Sequence, residues 1–271
     1  MSTFEKEVQS GERFEFGKNW QGFLTTLTDE RIRIAGSSIK EMLRIENLTG
    51  RTILDIGSGS GLFSLAARNL GGKVHSFDYD PASVSCSQEL RSKYFVNDPD
   101  WIIEQGSILD KNYIKSLGKF DIVYSWGVLH HTGKMWSAIE NAASLVKQKG
   151  TLFIAIYNDQ GRKSSFWKKV KALYCSGIVG KVLITLVFIP YFVLRALLSS
   201  ALKRKNVFAE YKKNRGMSIM YDWFDWLGGW PFEVATVEAV FHFLQDKGFL
   251  LSNIETSNGG LGNNQFVFTR E

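Results

Sequence analysis

Five short apolar runs, each closed by an acid, a glycine or a small polar residue, pattern the first 158 residues as strands alternating with helices. Ile53-Leu54-Asp55-Ile56 predicts a short buried strand, Gly57-Ser58-Gly59-Ser60-Gly61 a tight turn, and Leu62-Phe63-Ser64-Leu65-Ala66 the helix that follows. Val74–Asp78 predicts a second strand. Asp80-Pro81-Ala82-Ser83 then opens a helix, with Asp80 as N-cap and Pro81 in the first turn. Trp101–Asp110 reads as a third strand and its exit, Phe120–Thr132 as a fourth strand running into a loop, and Gly150–Asn158 as a fifth strand. Lys147, Lys149 and Gly150 look like the basic end and glycine stop of the helix before that fifth strand. Alternation at this pace predicts an α/β fold around a doubly wound parallel sheet.

The glycine turn narrows the chemistry. Three glycines in five positions let the backbone approach a ligand where a Cβ would collide. The dinucleotide fingerprint needs a third glycine three residues after the second, and that place holds Leu62. What stands here is an acid followed by Gly-x-Gly-x-Gly. Asp78 ends the second strand 21 residues after Gly57, where a carboxylate can accept both ribose hydroxyls of an adenosine; the alternative is a solvated strand-end acid.

This pattern resembles motif I of the class I S-adenosylmethionine (SAM)-dependent methyltransferases. The resemblance spans roughly residues 50–158 and resumes at 233–270. It implies a seven-stranded Rossmann-like sheet with SAM as cofactor. Asp55, Gly57, Ser58, Gly59 and Gly61 would form the cofactor turn, Asp78 would hold the ribose, and Tyr79 would pack on the adenine. Where the family often has an acid for the adenine amino group this chain has Ser107, which leaves that recognition to the Ser107 hydroxyl and the Ile108 backbone. Ser125 and Trp126 belong to a stretch like the family's motif IV, whose front residues face the methyl group and the acceptor. The resemblance also implies a helix over Glu233–Lys247, ended by Gly248, and last strands at Phe249–Thr256 and Gln265–Arg270. The core is then 50–159 with 232–271, and residues 1–49 form a helical cap. In that cap Phe14, Phe16 and Trp20 form either a lid over the cofactor or a helix packed outside the sheet.

About 70 residues, 160–231, intervene between the fifth strand and the last helix, too many for a structureless loop in a compact domain. They predict a helical insertion, basic and aromatic, lying over the substrate edge as a lid. Residues 160–215 hold thirteen Lys/Arg against one acid, Glu210, a net +12 that leaves −6 for the rest of a chain of total charge +6. Ile178–Leu202 is very apolar, with Pro190 inside, but the uncharged run Val182–Leu194 is too short for a full membrane span of about 20 residues. A buried helix, a pair broken near Pro190, and a segment dipping into one leaflet all fit. Basic flanks would suit an anionic membrane surface, each charge adding about 1 kcal/mol. Peripheral membrane contact through 178–205 therefore stands beside a lid whose apolar side packs on the core. Nucleic acid is not expected, because no aromatic-basic recognition module is legible.

Composition changes little: 44% hydrophobic and 22% charged residues are ordinary for a globular protein. Cys86 and Cys175 lie far apart, and four histidines are too dispersed for a metal site, so neither a disulfide framework nor a metal is expected. The polar N-terminus does not read as a signal peptide, and a cytoplasmic, reducing compartment is expected, with membrane association left open. No oligomeric state is specified.

For proton removal from an acceptor, His131 is the favoured base and His130 the other, since an ordinary imidazole titrates near roughly 6.5; a role in loop structure is the alternative. Asn158 is expected to orient the acceptor. Arg215, Asp222 and Asp225, in an aromatic block from 215 to 233, are candidates for substrate binding or for a structural Arg–Asp pair. Trp223, Phe224 and Phe232 read as lid core. The expected activity is methylation of a small acceptor: a hydroxyl on a sugar, an aromatic or a quinol-like lipid, or a thiol. A tRNA- or protein-directed methyltransferase docking through the basic insertion is the alternative, and a non-catalytic SAM-binding subunit the remote one.

Overall fold

The computed structural model describes residues 3–203 and 219–271. Helices α1 (Thr3–Gln9), α2 (Gly17–Leu24) and α3 (Asp29–Leu43) precede a seven-stranded sheet of order β3-β2-β1-β4-β5-β7-β6. Strands β1 (Thr52–Ile56), β2 (Lys73–Asp78), β3 (Trp101–Gln105), β4 (Phe120–Trp126) and β5 (Val146–Tyr157) are parallel. Strand β7 (Asn263–Arg270) pairs antiparallel with β5 and with β6 (Phe249–Glu255). Helices α4 (Leu62–Asn69), α5 (Pro81–Tyr94), α6 (Lys111–Leu117) and α7 (Met135–Ser144) connect the parallel strands.

Both faces of the sheet are covered, which is why β1 is apolar at consecutive positions. Leu54 and Ile56 face a core built with α6, α7 and α11 (Val237–Gln245). Ile53, one residue out of phase, packs with Ile32 and Ile39 of α3, Leu65 of α4 and Leu90 of α5. Asp80 caps α5 by accepting the Ala82 N–H at 2.9 Å, with Pro81 in the first turn as the sequence predicts.

Two predicted boundaries move. The helix before β5 ends at Ser144, and Lys147, Lys149 and Gly150 lie within the strand instead of closing the helix. Lys147 is drawn inward: its Nζ donates to both carboxylate oxygens of Asp121 at 3.0 Å, and the β4–β5 register shifts beside this pair. The helix predicted from Glu233 begins only after Thr236, whose hydroxyl accepts the Ala239 N–H at 3.2 Å. Glu233 caps a different helix, accepting the Met135 N–H of α7 at 3.0 Å.

Between β5 and α11 the described residues form α8 (Arg162–Cys175), α9 (Ile178–Lys203) and α10 (Ile219–Gly228). They share a small core of Val170, Tyr174, Ile184 and Leu227, joined by Phe14 from the N-terminal segment. Helix α9 runs through Pro190 without a break, and it is neither a helix pair nor a buried helix, since most of its residues are exposed. Lys171, one of the thirteen Lys/Arg of 160–215, is fully buried.

Candidate active site

An open α/β sheet leaves a crevice beyond its carboxyl strand ends where the strand order reverses, here between β1 and β4. A cavity of about 380 Å³ occupies that place. Asp55, Gly57, Ser58, Gly59, Asp78, Tyr79, Ser107, Ile108, Trp126 and His131 line it, roofed by Phe14, Phe16 and Trp20.

Gly57 has φ +74, and a Cβ there would stand 2.4 Å from the Val128 side chain. Behind it Ser58 and Gly57 both donate to the Phe77 carbonyl, at 3.2 and 2.8 Å, locking the turn onto β2. Trp20 covers the same turn, its Nε1 lying 3.2 Å from where a Gly59 Cβ would be. The Asp78 carboxylate accepts the Gly59 N–H through Oδ2 and the Asp80 N–H through Oδ1, both at 2.9 Å. Asp80 in turn accepts the Gly17 N–H at 2.7 Å, which fixes the start of α2 beside the strand end.

Burial pushes the Asp55 carboxyl up to about 7, against the hydrogen bond donated by Ser64, and pushes Asp78 up to about 6 against the backbone N–H donors. Hydrogen bonds and neighbouring carboxylates complete the forces on them. The crevice presents a buried acid, Asp55, and a half-buried one, Asp78, neither in an ion pair among the described residues, beside a glycine turn the backbone can open to a ligand. A ligand that carries ribose hydroxyls and its own positive charge, as SAM does, fits this donor set.

The strand order sets the two ends of the cavity. Tyr79, Ser107 and Ile108 follow β2 and β3, whereas His131 follows β4, Tyr157 ends β5 and Asp225 lies in α10. Tyr79 is held by Phe4 edge-on at 5.5 Å and by the Arg13 guanidinium 4.9 Å over its ring. The Ser107 hydroxyl accepts the Leu109 N–H at 3.2 Å. Trp126 stands at the rim, its Nε1 donating to Gln265 at 2.9 Å.

Five of the predicted site residues lie outside the cavity lining. Gly61 has φ +79 and a Cβ there would meet the Ser87 backbone at 2.9 Å, so it permits close packing of α4 on α5. Ser125 is fully buried and donates to the Ile56 carbonyl at 3.0 Å, tying β4 to β1. His130 is fully buried beneath the turn, its ring 4.1 Å from that of Tyr157, and burial first, then His131 and Lys171, keep it neutral. Asn158 donates to the Gly260 carbonyl at 3.2 Å and accepts from Asn264 at 3.1 Å, so it braces the β6–β7 hairpin instead of facing the acceptor. Asp222 is half-buried on α10, its carboxyl raised by burial to about 6. Arg215 lies outside the described residues.

His131 does line the cavity, but its Nδ1 is 2.7 Å from the Pro231 carbonyl, which makes Nδ1 the protonated nitrogen. Burial, with Lys171 and Arg13 nearby, lowers its pKa to about 3. The pKa near roughly 6.5 expected for a base at this position therefore does not hold. Asp225 shares that end of the cavity. Burial raises its carboxyl to about 7 and Asp222 adds to this, while an Asn19 hydrogen bond and Lys171 oppose it.

Sequence reasoning missed Arg13 and Lys171. Arg13 sits between α1 and α2 and joins the two ends: it donates to the His131 carbonyl at 3.1 Å and to Glu7 at 2.7 Å while covering Tyr79. Lys171 donates to the Trp226 carbonyl and lies 4.1 Å from the Trp226 ring and 4.9 Å from that of Phe232. Neither position has a periodic signal. The one cue to Lys171 is its place within Val170–Tyr174, an otherwise apolar turn.

Residues 54–152 match the model of a methyltransferase domain family. A ubiquinone biosynthesis O-methyltransferase of Escherichia fergusonii is 29% identical over 140 residues, covering 51% of this chain and 55% of that protein. One of Xanthomonas campestris is 32% identical over 111 residues, covering 41% and 45%. The chain thus spans about half the length of the curated relatives it matches. Among solved structures, the magnesium protoporphyrin IX methyltransferase of Synechocystis with bound SAH has a TM-score of 0.55 at 14% identity, covering 100% of this chain and 89% of that one. An O-methyltransferase family protein of Burkholderia thailandensis has a TM-score of 0.54 at 12% identity, covering 90% and 58%; these two likenesses carry the fold. With its acid-and-glycine turn, its strand-end Asp78 and this match across β1 to β5, residues 54–152 are a methyltransferase domain, on a fold shared with S-adenosylmethionine-dependent methyltransferases.

Proposed function

We propose that this protein methylates a hydroxyl of a small, largely apolar acceptor, with Asp225 as the group that takes the proton. The observation that carries the reading is the division of one cavity: buried acids and a glycine turn over β1 and β2, and the Asp225 carboxylate with His131 among aromatic rings over β4, β5 and α10. The roof of Phe14, Phe16 and Trp20 favours a small molecule over a macromolecule, which would need an open face. The relatives' description as O-methyltransferases supports oxygen as the acceptor atom, and their part in ubiquinone biosynthesis supports an aromatic or quinol-like ring.

SAM supplies an electrophilic methyl group on a sulfonium. Asp78 would accept the ribose hydroxyls with the lone pairs that Gly59 and Asp80 leave free, and Tyr79, fixed by Phe4 and Arg13, would pack on the adenine. Ser107 and Ile108 would close the adenine end, and Asp55 would hold the methionine amine. On the other side Phe16, 5.2 Å from the His131 ring, and Tyr157 hold an apolar acceptor between them. His131, neutral, accepts or bridges at Nε2 and orients the acceptor hydroxyl. As the new O–C bond forms and the S–C bond breaks, the hydroxyl proton passes to an Asp225 oxygen, the other oxygen being held by Asn19. A carboxylate titrating near neutrality suits this step, since a useful base has a pKa near the working pH.

The test is transfer of labelled methyl from SAM to a panel of phenols, catechols and quinols by the purified chain. Transfer to a ring hydroxyl, lost in Asp225→Asn while SAM affinity is kept, is expected. Tight SAM binding with transfer only to tRNA or protein would overturn the small-acceptor reading.

A further inference from the structure

Helix α9 leaves most of its apolar surface in water. Over Ile178–Leu202, 25 residues, its mean hydropathy reaches 2.2, yet only 11% of its most apolar stretch is buried. One face is packed: Ile184, Phe188 and Phe192 meet Trp167 and Val170 of α8 and Leu227 of α10. The rest is open, with Leu186 67% exposed, Leu194 58% and Leu202 86%, and Phe166 of α8 extends the patch at 53%. Isolated exposed leucines are ordinary, but a continuous aliphatic helix face is an interaction surface.

Charge selects what covers it. Lys168, Lys169, Lys181 and Arg195 are exposed around the patch, with Arg162 and Lys163 exposed at the start of α8. A second copy would bring the same exposed bases against it, and nucleic acid has no use for an aliphatic stripe. An anionic bilayer offers both an apolar layer and negative headgroups. A transmembrane path would strip α9 from α8 and α10, whereas a helix lying in the membrane plane keeps that packing.

We infer that α9 docks the protein on an anionic lipid bilayer, its aliphatic face among the acyl chains and its lysines and arginine at the headgroups. The core under α9 includes Phe14, which also lines the cavity, and Trp226 of α10, so the docked face lies one layer of side chains from the site.

The 271-residue chain is sedimented with vesicles of phosphatidylcholine alone or of an equimolar mixture with phosphatidylglycerol, at about 0.1 M and about 0.5 M salt. Binding roughly tenfold stronger to the anionic vesicles, and weakened by salt, is expected. Leu186→Glu with Leu194→Glu should lower it a further tenfold or so, and Lys168→Glu with Lys169→Glu, which leaves the apolar face intact, should remove the preference for anionic lipid. No binding to either vesicle, or binding unchanged in both variants, overturns the inference. So does a dimer in solution that the leucine substitutions dissociate, which would give the face to a second copy. SAM affinity and melting temperature in the same samples report separately on fold and on the methyl-transfer reading, which vesicle binding does not require.

Discussion

Asp78 and Gly59 are joined by a 2.9 Å hydrogen bond from the glycine N–H to Oδ2, so the acid that ends β2 and the turn that follows β1 form one unit. Replacing the carboxylate should affect both the proposed ribose contact and the shape of the turn. Asp78→Asn keeps an oxygen for the Gly59 N–H but removes the charge and half the accepting capacity. We expect a SAM affinity at least about tenfold lower, about 1.4 kcal/mol, by titration calorimetry, and a larger loss in Asp78→Ala. An unchanged affinity in the alanine variant would remove Asp78 from the cofactor site.

Gly57 tests the approach of the turn to the loop after β4. Its φ of +74 strains any side chain, and a Cβ would lie 2.4 Å from Val128. Gly57→Ala should cost about 1–3 kcal/mol in denaturant unfolding and weaken SAM binding. Adding Val128→Ala relieves the clash but not the backbone strain, so the double variant should recover part of the loss. Full recovery would mean that the backbone at Gly57 is unstrained by a side chain.

The core of this architecture was legible because its signals are local. An apolar run, a glycine turn and a capping acid specify β1, α4 and α5 within a few residues of one another, and the acid at Asp78 lies at a spacing set by one β-α-β unit. The displaced boundary before β5 was not legible, because it depends on Lys147 finding Asp121 on a neighbouring strand. Likewise His130 and His131 are alike in sequence. Only the tertiary fold buries the first against Tyr157 and turns the second into the cavity with Nδ1 on the Pro231 carbonyl. Ser125 is expected at the site from its place in the motif IV-like stretch, and Asn158 from its place at the exit of the fifth strand; alternation and a hairpin contact direct them elsewhere.

Lys171 makes stability depend on pH. Burial lowers its pKa from 10.5 to about 7, so between pH 7 and 10.5 the native state binds fewer protons than the unfolded chain. Unfolding free energy from this group therefore rises with pH across that window, and below it the penalty for a buried charge is fully present. Lys171→Met keeps a flexible chain against Trp226 and Phe232, removes the titration, and leaves the Trp226 carbonyl without its donor. Urea unfolding at pH 6, 7.5 and 9 should show the wild type gaining on the variant as pH rises, by about 1 kcal/mol or more over the range. Parallel profiles would show that Lys171 does not titrate in this window.

The pH dependence of turnover separates Asp225 from His131 as the proton acceptor. An Asp225 carboxyl near 7 is mostly protonated at pH 6 and ionised at pH 8. If it takes the proton, turnover at saturating SAM should rise about tenfold per pH unit below 7 and level off above it. A His131 with a pKa of about 3 is already neutral throughout, and a mechanism resting on it would be flat from pH 5 to 9. Asp225→Asn should lower turnover by about two to four orders of magnitude and flatten what remains, with SAM affinity little changed. His131→Asn keeps a hydrogen-bonding group and should act mainly on acceptor KM, leaving the rising limb in place. A flat wild-type profile, or a rising limb that survives in Asp225→Asn and vanishes in His131→Asn, would reverse the assignment.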